Sequence, residues 1–378
     1  MEYRRFGRSE LQISVLSGGT MRSLASPEQM KQTLHRGFQS GINHIETASA
    51  YGNSEALVGQ ALRSLNLPRD RYILTTKLVP TPNVSAFEAQ LIQSFERLQV
   101  DRLDCLALHG INTAEHFEWI MQPSGCMAVV REFVRMGKID HVGFSTHGPL
   151  ELIEKTIATD QFEFVNLHYG IFFQRNEPAI AQAAARDLGI FIISPGDKGG
   201  MLYTPPDRLQ ELCLPLTPLA LNYRFLLSDD RIHTLSVGPA CPEEWLQPLE
   251  SIQAVPEEAE IFDRVQRIPA EVLGTDHCQQ CYDCLPCPEE IHIPEVLRLR
   301  NLAIAYDMKE FGQYRYGMFG KAGHWFPGVT GDRCNDCGDC LPRCPAQLEI
   351  PTLLRDTHDR LAGKGRRRLW EVRGERGE

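Results

Sequence analysis

The sequence lacks long apolar runs, and no segment approaches the roughly 20 consecutive apolar residues that a membrane-spanning helix needs. We therefore expect no membrane span. The first eight residues are charged and lack the apolar stretch of a secretory signal, so we expect a cytoplasmic protein. Positive charge is also scarce, because 49 acidic residues against 39 basic ones give a net charge of −10. This balance provides no electropositive face for nucleic acid, and we expect no nucleic-acid binding.

Cysteine is the residue type that the sequence has in excess. Hydrophobic residues make up 42% and charged residues 23% of the 378 positions, which is ordinary for a globular protein of one large or two smaller domains. Eight of the 12 cysteines, however, lie between Cys278 and Cys344. In a reducing compartment such clustering indicates metal binding more often than disulfide bonds, which remain the alternative.

Short apolar runs alternate with amphipathic segments up to about residue 240. Eight such runs, read as buried parallel strands with intervening helices, predict an α/β fold, a (β/α)8 TIM barrel. Residues 3–14 are predicted to form a hairpin that closes the barrel floor. An open doubly wound sheet is the alternative, although no glycine-rich fingerprint follows the first strand. The predicted strands are 13–19, 41–46, 72–77, 103–109, 141–145, 164–167, 190–194 and 234–238.

Polar side chains stand where the predicted strands end, which is where barrels of this kind carry their functional residues. Tyr51 follows the end of the second strand by five positions. One polar residue at a strand end is usually structural, but this many predict a functional site. The strand-end residues are Glu46, Lys77, His109, Ser145, Asn166 and Ser194.

Five ordered motifs in residues 3–250 resemble the aldo-keto reductase superfamily. The segment 44–48, with Tyr51-Gly52 and Ser54-Glu55, is similar to the family's aspartate–threonine–alanine, tyrosine–glycine and serine–glutamate signature. The resemblance continues in the expected order at Thr76-Lys77, Leu108-His109, residues 143–146 and Ser194-Pro195.

The resemblance implies an NAD(P)-dependent oxidoreductase that reduces an aldehyde or ketone by hydride transfer. It assigns Tyr51 as the general acid–base, with Lys77 beside it to lower the pKa of a phenol that ordinarily titrates near 10. His109 would orient and polarise the carbonyl group. Glu46 stands where the family carries aspartate, and a carboxylate there would pair with Lys77.

The resemblance also assigns residues to the cofactor, NADP or NAD. Ser145, Thr146 and Asn166 occupy positions that hold the nicotinamide carboxamide in the family. The loops after the seventh and eighth strands are where barrels commonly bind phosphate, although ordinary turns remain the alternative there. Residues 241–244 lack the arginine that usually grips the 2′-phosphate, which leaves both cofactors open. The loop residues in the predicted site are Ser194, Gly199, Gly200 and Gly238.

Two cysteine runs have the spacing of iron–sulfur ligands. The second reads Cys334-x2-Cys337-x2-Cys340-x3-Cys344-Pro345, in which the fourth cysteine of two-cluster modules serves the neighbouring cluster. The first reads Cys278-x2-Cys281-x2-Cys284-x2-Cys287-Pro288, with its last gap one residue shorter. We expect two [4Fe–4S] clusters. Zinc is the competing interpretation, but it does not explain the third cysteine and the Cys-Pro pair of each run.

About 46 residues of largely helical pattern separate the two runs, which favours a small, mainly α-helical ferredoxin-like domain. This domain resembles the tail of an iron–sulfur subgroup of aldo-keto reductases, whose members tend to carry the glutamate found at Glu46. The predicted organisation is a barrel over residues 1–269, a ferredoxin-like domain over 270–358 and a charged tail over 359–378, with a basic run at 364–368.

The sequence thus predicts an oxidoreductase for a small carbonyl substrate whose clusters serve electron transfer with a redox partner protein, or redox sensing. Nicotinamide transfers two electrons at once and a cluster normally one, and no flavin signature is evident to couple them. The alternative is an iron–sulfur electron-transfer protein whose barrel binds a ligand or partner without catalysis.

Overall fold

The computed structural model describes residues 1–253 and 258–363. These residues form two compact units. The first comprises Met1–Gly199 and Asn222–Gln253, and the second comprises Gly200–Leu221 and the described residues that follow Gln253. The division at residues 269 and 358 stays a prediction, and the basic run at 364–368 lies outside the described residues.

The first unit contains the predicted TIM barrel, in which eight parallel strands close on one another. The last barrel strand pairs with the first, Val237 opposite Gly18, which closes the cylinder. A two-stranded antiparallel hairpin, β1 (Tyr3–Arg5) and β2 (Gln12–Ser14), precedes the barrel. The barrel strands are β3 (Leu16–Gly19), β4 (His44–Glu46), β5 (Ile73–Leu78), β6 (Leu103–Leu108), β7 (Ile139–Ser145), β8 (Phe164–Leu167), β9 (Gly189–Ile192) and β10 (Thr234–Val237).

Helices follow most barrel strands, and the first helix begins with a side-chain cap. Ser26 Oγ accepts a hydrogen bond from Gln29 N (3.1 Å) at the start of the first helix, where Pro27 occupies the first turn. The helices are α1 (Pro27–Gln39), α2 (Ser54–Leu65), α3 (Val84–Leu98), α4 (Ala114–Met121), α5 (Cys126–Arg135), α6 (Leu150–Ile157), α7 (Glu177–Ala185), α8 (Asp207–Cys213), α9 (Pro218–Leu227), α10 (Leu246–Ser251), α11 (Glu258–Leu273), α12 (Ile293–Tyr306), α13 (Lys309–Tyr316) and α14 (Ile350–Leu361). None of these described helices is long and apolar enough to cross a membrane.

The hairpin closes the floor of the barrel, as expected. Phe6, between β1 and β2, is buried with Phe164 and Phe191 in the cluster at the amino ends of the strands. The ring of Phe6 also lies so close to Gly189 that a Cβ there would approach it to 2.6 Å, which explains the glycine at the start of β9. Because this end is filled with apolar side chains, the opposite end is where polar groups can meet a ligand.

The second unit consists of helices and connecting loops, in agreement with a mainly α-helical ferredoxin-like domain. The central helix α12 is buried along most of its length, and Tyr306 Oη donates a hydrogen bond to Val265 O (2.8 Å) on α11. Arg264 on α11 donates hydrogen bonds to the carbonyl groups of Leu212 and Leu214. These bonds hold α8, which follows the seventh barrel strand in the chain, against α11 within the second unit.

Candidate functional site

Four predicted site residues meet at the carboxyl end of the barrel. Glu46 ends β4, Lys77 lies near the end of β5 and His109 directly follows β6, and these three strands are neighbours. All three side chains are buried, Lys77 to 1% exposure. Tyr51, from the loop after β4, completes the group: its ring centre lies 5.1 Å from Lys77 Nζ and 5.7 Å from the ring centre of His109.

Lys77 is held as a buried ammonium group. Its Nζ donates hydrogen bonds to Glu46 Oε2 and to Thr47 O, the latter at 3.0 Å. Burial alone would lower the pKa of Lys77, but the charge and hydrogen bonds of Glu46 and Tyr51 outweigh it and raise the pKa above its ordinary value. The positive charge is therefore permanent near neutral pH.

The pKa of Tyr51 corrects one expectation from the sequence. Burial raises it above its ordinary value, and the Lys77 ammonium with its hydrogen bond to the phenol reverses only part of that increase. The sequence suggested a net lowering because the charge of Lys77 is evident from the residue type, whereas the burial of Tyr51 is not. Tyr51 is consequently a protonated phenol at neutral pH, which is the form that can donate a proton.

His109 is a neutral imidazole. Burial, followed by the charges of Lys77 and Lys198, lowers its pKa from 6.5 to about 3. Its main-chain N–H donates to Leu78 O (2.7 Å), so the residue is fixed against the end of β5. A neutral ring can offer one N–H to a carbonyl oxygen without adding a further positive charge beside Lys77.

The extra methylene of Glu46 has a structural explanation. Its Oε2 pairs with Lys77 on β5, while its Oε1 accepts a hydrogen bond from Ser236 Oγ (2.9 Å) on β10. Strand β3 lies between β4 and β10, and its Gly19 leaves the space for this reach, because a Cβ there would lie 2.7 Å from Glu46 Oε1. Aspartate in place of Glu46 would be one methylene shorter for the same span. Ser236 and Gly19 were missed in the sequence, where only the Gly18-Gly19 pair at a strand end gave a signal.

Asn166 has the properties of a ligand-binding amide. Its side chain is 0% exposed, and among the described residues neither its Oδ1 nor its Nδ2 has a hydrogen-bond partner. Ser145 lies opposite it in the β7–β8 pairing, with its Oγ accepting from Gly110 N (3.0 Å). An amide with one open acceptor and one open donor matches the complementary atoms of a carboxamide, so these residues fit the nicotinamide group.

Thr146 is engaged within its own loop. Its Oγ1 donates to Ile111 O (2.7 Å) and accepts from Gly148 N (3.0 Å), and its main-chain N–H donates to Asn166 O. The hydroxyl thus braces the loop after β7 against the segment that follows His109. Its contact with a cofactor stays a prediction.

The four predicted loop residues have different surroundings. Ser194 adopts a left-handed conformation (φ 49°), and a Cβ at Gly199 would lie only 2.0 Å from Pro195 O, so the turn itself requires that glycine. At Gly238 a Cβ would meet no atom closer than 3.9 Å. Gly200 belongs to the second unit, where it lines a cavity of about 360 Å³ with Met201 and residues 204–206 and 307–311.

An arginine does lie against the loop after the eighth barrel strand, although residues 241–244 contain none. Arg22, from the segment after β3, donates to Gly238 O (2.8 Å) and forms an ion pair with Glu244 (2.8 Å). Gln29 Nε2 donates to Ala240 O (2.7 Å) in the same place. The position of Arg22 beside this loop could not be predicted from the sequence, because barrel closure rather than chain order brings the first and last strands together. Glu244 already engages this guanidinium, which leaves NADP and NAD both open.

The two cysteine runs interleave in the second unit. Cys287, the last cysteine of the first run, lines a small cavity with the first three cysteines of the second. In the other direction, burial raises the pKa of Cys278, and the neighbouring Cys281 and Cys344 raise it further. Each run therefore lies close to the last cysteine of the other. The residues around the shared cavity include Cys287, Cys334, Cys337, Cys340, Ile293 and Leu354.

Side chains outside the runs hold the cysteine loops in place. Asn301 on α12 donates to Cys278 O (2.8 Å), and Arg343 donates to Pro286 O (2.9 Å), which ties the second run to the first. Within the described ranges, no three or more His, Cys, Asp or Glu side chains are arranged to hold a single metal ion. The grouping of four cysteines around one cavity instead fits a larger thiolate-bound cluster.

Two family descriptions match the chain. Residues 16–204 match the aldo/keto reductase family, and residues 277–349 match the 4Fe-4S dicluster domain. Together the matches cover the first part of the barrel and both cysteine runs.

Curated relatives resemble the barrel region at low identity. The uncharacterized oxidoreductase YrpG of Bacillus subtilis is 24% identical over 219 residues, 51% of this chain and 65% of that protein. The methylglyoxal reductase DkgA of Salmonella typhimurium is 31% identical over 150 residues, which are 38% of this chain and 51% of that protein. The L-galactose dehydrogenase of Arabidopsis thaliana is 25% identical over 212 residues, 52% and 65%. The chain thus spans about half to two thirds of the length of these relatives.

Solved structures share the barrel. The holo form of aldo-keto reductase AKR11C1 from Bacillus halodurans superposes with a TM-score of 0.62 at 21% identity, over 71% of this chain and 96% of that one. Its apo form gives a TM-score of 0.59 at 21% identity, over 70% and 95%. At this identity the similarity shows the fold, and it confirms the (β/α)8 architecture.

Proposed function

Because the chain belongs to the aldo/keto reductase family and its cysteine runs match a 4Fe-4S dicluster domain, we propose that it is a nicotinamide-dependent reductase of an aldehyde or ketone that also carries iron–sulfur clusters. When bound, NADPH or NADH supplies the hydride that attacks the carbonyl carbon. One observation carries the proposal: a protonated tyrosine, a buried ammonium and a neutral imidazole meet at the functional end of the barrel. These groups are Tyr51, Lys77 and His109.

Tyr51 is the proton donor in this proposal. Its phenol is protonated at neutral pH, so it can transfer a proton to the carbonyl oxygen as negative charge develops there. The Lys77 ammonium stabilises the phenolate that remains, and the carboxylate of Glu46 holds that ammonium in place. Glu46 thus acts on the reaction through Lys77 as a positioning residue.

His109 orients the substrate. Its ring lies edge-on to that of Tyr51, with an angle of 86° between the planes, so both side chains border the same space. A neutral imidazole N–H there would hold the carbonyl oxygen within reach of the Tyr51 hydroxyl.

The nicotinamide carboxamide would be held by Asn166, whose buried amide offers both a donor and an acceptor, with Ser145 and Thr146 beside it. Ser194, Gly199, Gly200 and Gly238 remain the proposed contacts of the rest of the cofactor. The open space over Gly238 supports its assignment better than the tight turn supports that of Gly199.

We propose two [4Fe–4S] clusters, which when bound each supply one-electron chemistry. The interleaving of the runs supports one ligand set of Cys278, Cys281, Cys284 and Cys344, and another of Cys334, Cys337, Cys340 and Cys287. Cys281 and Cys337 are exposed, so both clusters would have an edge from which a redox partner protein can exchange electrons.

The test compares Tyr51→Phe with a matched control, Tyr72→Phe. Tyr72 precedes β5 at the opposite end of the barrel and is also largely buried. Oxidation of NADPH and NADH is measured anaerobically with a panel of small aldehydes and ketones. We expect kcat to fall by about 10²- to 10⁴-fold in Tyr51→Phe and to stay unchanged in Tyr72→Phe. A wild type that reduces no member of the panel would contradict the proposal and favour a barrel that only binds. A fully active Tyr51→Phe would contradict the proposed chemistry, because the reaction would then take its proton from another group.

A further inference from the structure

The two cysteine runs share a backbone conformation around their second cysteine. In each run the residue before this cysteine and the residue after it adopt left-handed conformations. These residues are Gln280 (φ 61°) and Tyr282 (φ 68°) in the first run, and Asp336 (φ 58°) and Gly338 (φ 78°) in the second. Gln280 and Asp336 are therefore equivalent positions in two similar loops, and their different side chains distinguish the two cluster sites.

The side chain of Gln280 donates a hydrogen bond to a cysteine sulfur. Its terminal atom lies 2.7 Å from Pro294 O, and because a carbonyl oxygen can only accept, this atom is the nitrogen Nε2. The same nitrogen carries a second proton and lies 3.5 Å from Cys278 Sγ, to which it donates. Pro294 lies in the first turn of the buried helix α12, so the amide is held in a fixed orientation.

A second N–H group reaches another sulfur of the same proposed ligand set. The main-chain N–H of Leu348 donates to Cys344 Sγ (3.5 Å). Cys278 and Cys344 are each only 9% exposed, so water has little access to these two sulfurs and N–H groups of the protein serve as their donors. The first ligand set is Cys278, Cys281, Cys284 and Cys344.

Asp336 brings the opposite chemistry to the second run. A carboxylate has no N–H to donate, and it carries a negative charge. Its Oδ1 forms an ion pair with Arg355 (2.6 Å), but the side chains of Asp336 and Arg355 are 60% and 51% exposed, so water screens this pair. Asp283 and Asp339 precede the third cysteine of their respective runs, so this charge is common to both sites.

Solvent exposure acts in the opposite direction at the second ligand set. Cys287 and Cys334 are half-buried, so water can approach their sulfurs more easily than the two buried sulfurs of the first set. Water must reorient to donate, however, whereas the amide of Gln280 is already fixed. Glu289 and Arg343 both border the cavity of the second set, where their opposite charges offset each other. The second ligand set is Cys334, Cys337, Cys340 and Cys287.

We propose that Gln280 makes the first ligand set the site that takes up an electron before the second. An N–H that donates to a ligand sulfur stabilises the negative charge added on reduction, and hydrogen bonds to the sulfurs and net charge set the potential of such clusters. The electron comes from a one-electron donor protein, which is oxidised by one electron as the cluster is reduced by one. Gln280 and Asp336 act as positioning residues for this order. The inference rests on the two proposed clusters and their ligand sets.

The test is a redox titration of the anaerobic protein, followed by electron paramagnetic resonance. Cys278→Ser assigns the signals, because it should retain only the second cluster. In the wild type we expect the more positive midpoint potential at the first ligand set. At a fixed potential near that midpoint, Gln280→Leu should lower the ratio of reduced to oxidised first cluster by about 5-fold. Gln279→Leu is the matched control: this exposed glutamine precedes Gln280, and its replacement should leave both midpoints unchanged.

Two substitutions test the equivalent position in the second run. Asp336→Gln replaces the carboxylate by an amide and should raise the midpoint potential of the second cluster. Arg355→Gln removes the partner of Asp336 and keeps its charge, so it should lower that midpoint. Opposite shifts would attribute the effect to charge and hydrogen bonding, because a general disturbance of the loop would move both variants in the same direction.

The outcomes separate the inference from the proposed clusters. If the wild type contains two clusters and the second ligand set has the more positive midpoint, or if Gln280→Leu leaves the first midpoint unchanged, only the inference is overturned. If Gln280→Leu fails to bind the first cluster, the order of the wild-type midpoints and the shifts in Asp336→Gln and Arg355→Gln decide. A purified protein without iron and sulfide, or with a single cluster, would contradict the proposed clusters, and the inference would fall with them.

Discussion

Gly19→Ala is the most informative small change at the candidate active site. The new Cβ would lie 2.7 Å from Glu46 Oε1 and 3.0 Å from Ser236 Oγ, both closer than ordinary contacts allow. The carboxylate must withdraw by several tenths of an ångström, which disturbs its hydrogen bond to Ser236 and its pairing with Lys77. Gly19 itself approaches Glu46 rather than Tyr51, so the perturbation reaches the chemistry only through the charged pair.

The expected size of the effect follows from two magnitudes. Misplacing a catalytic constellation by about 1 Å can cost about 10²-fold in rate, and a hydrogen bond to a charged group contributes about 1.5–3 kcal/mol. For a displacement of less than 1 Å at Glu46, we expect kcat for carbonyl reduction to fall by roughly 10- to 10²-fold. KM should change little, because the new methyl group would contact Glu46 and Ser236 rather than the residues proposed to bind the substrate.

The assay measures kcat and KM for a reactive aldehyde, together with thermal unfolding of each variant. Gly18→Ala is the matched control, since its Cβ would meet the flexible end of Ile45 at 3.0 Å and otherwise only make ordinary contacts, the nearer with the Trp245 ring at 3.5 Å. Glu46→Asp in the Gly19→Ala background should restore part of the rate, because the shorter side chain leaves room for the methyl group. Full activity of Gly19→Ala, or strictly additive effects of the two substitutions, would refute the role given to this glycine.

Three further predictions concern proton and cluster binding. Because the pKa of Tyr51 is raised, kcat/KM for reduction should stay level between about pH 6 and pH 9. The rate of alcohol oxidation, which needs the phenolate, should instead rise with pH. Measuring pH–rate profiles in both directions checks this prediction. Burial lowers the pKa of His44 to about 3 in the folded state, whereas the ring titrates at 6.5 when unfolded. Acid therefore favours the unfolded state, so the contribution of His44 to the free energy of unfolding is complete above about pH 6.5 and is lost as the pH falls towards 3. Between pH 7.5 and pH 5.5 the free energy of unfolding should drop by about 1.4 kcal/mol less in His44→Gln than in the wild type, as measured by urea unfolding. Cys344→Ser and Cys278→Ser should lose the same cluster, whereas Cys334→Ser should lose the other one, and the iron content of each variant should fall to about half. Matching electron paramagnetic resonance spectra of Cys344→Ser and Cys334→Ser would contradict the ligand sets.

The barrel and the cysteine module were predictable from the sequence because both follow from local patterns. Buried parallel strands are near-continuous apolar runs such as β6, and parallel strands direct their carboxyl ends to one face. The sequence alone therefore predicts that Glu46, Lys77 and His109 lie at one end of the barrel. Cluster ligands likewise follow a fixed spacing within each run.

The remaining features depend on contacts that chain order does not reveal. Ser236 and Glu46 are 190 residues apart in the sequence, and they approach each other only because the barrel closes between β10 and β3. The position of Ser145 opposite Asn166 depends on the register of β7 and β8. The net pKa of Tyr51 depends on how completely the fold buries it, and burial outweighs the charge of Lys77 that the sequence did reveal.

The central claim is that a hydride passes from a nicotinamide to a carbonyl carbon in the barrel, rather than single electrons passing through the clusters. The most direct measurement supplies the anaerobic protein with nicotinamide cofactor deuterated on one face of C4, together with a small aldehyde. Mass spectrometry then locates the label in the alcohol product. We predict deuterium on the carbinol carbon from one of the two C4-labelled cofactors, and loss of this product in Tyr51→Phe. An alcohol product without deuterium from either cofactor, or no product at all, would contradict the account.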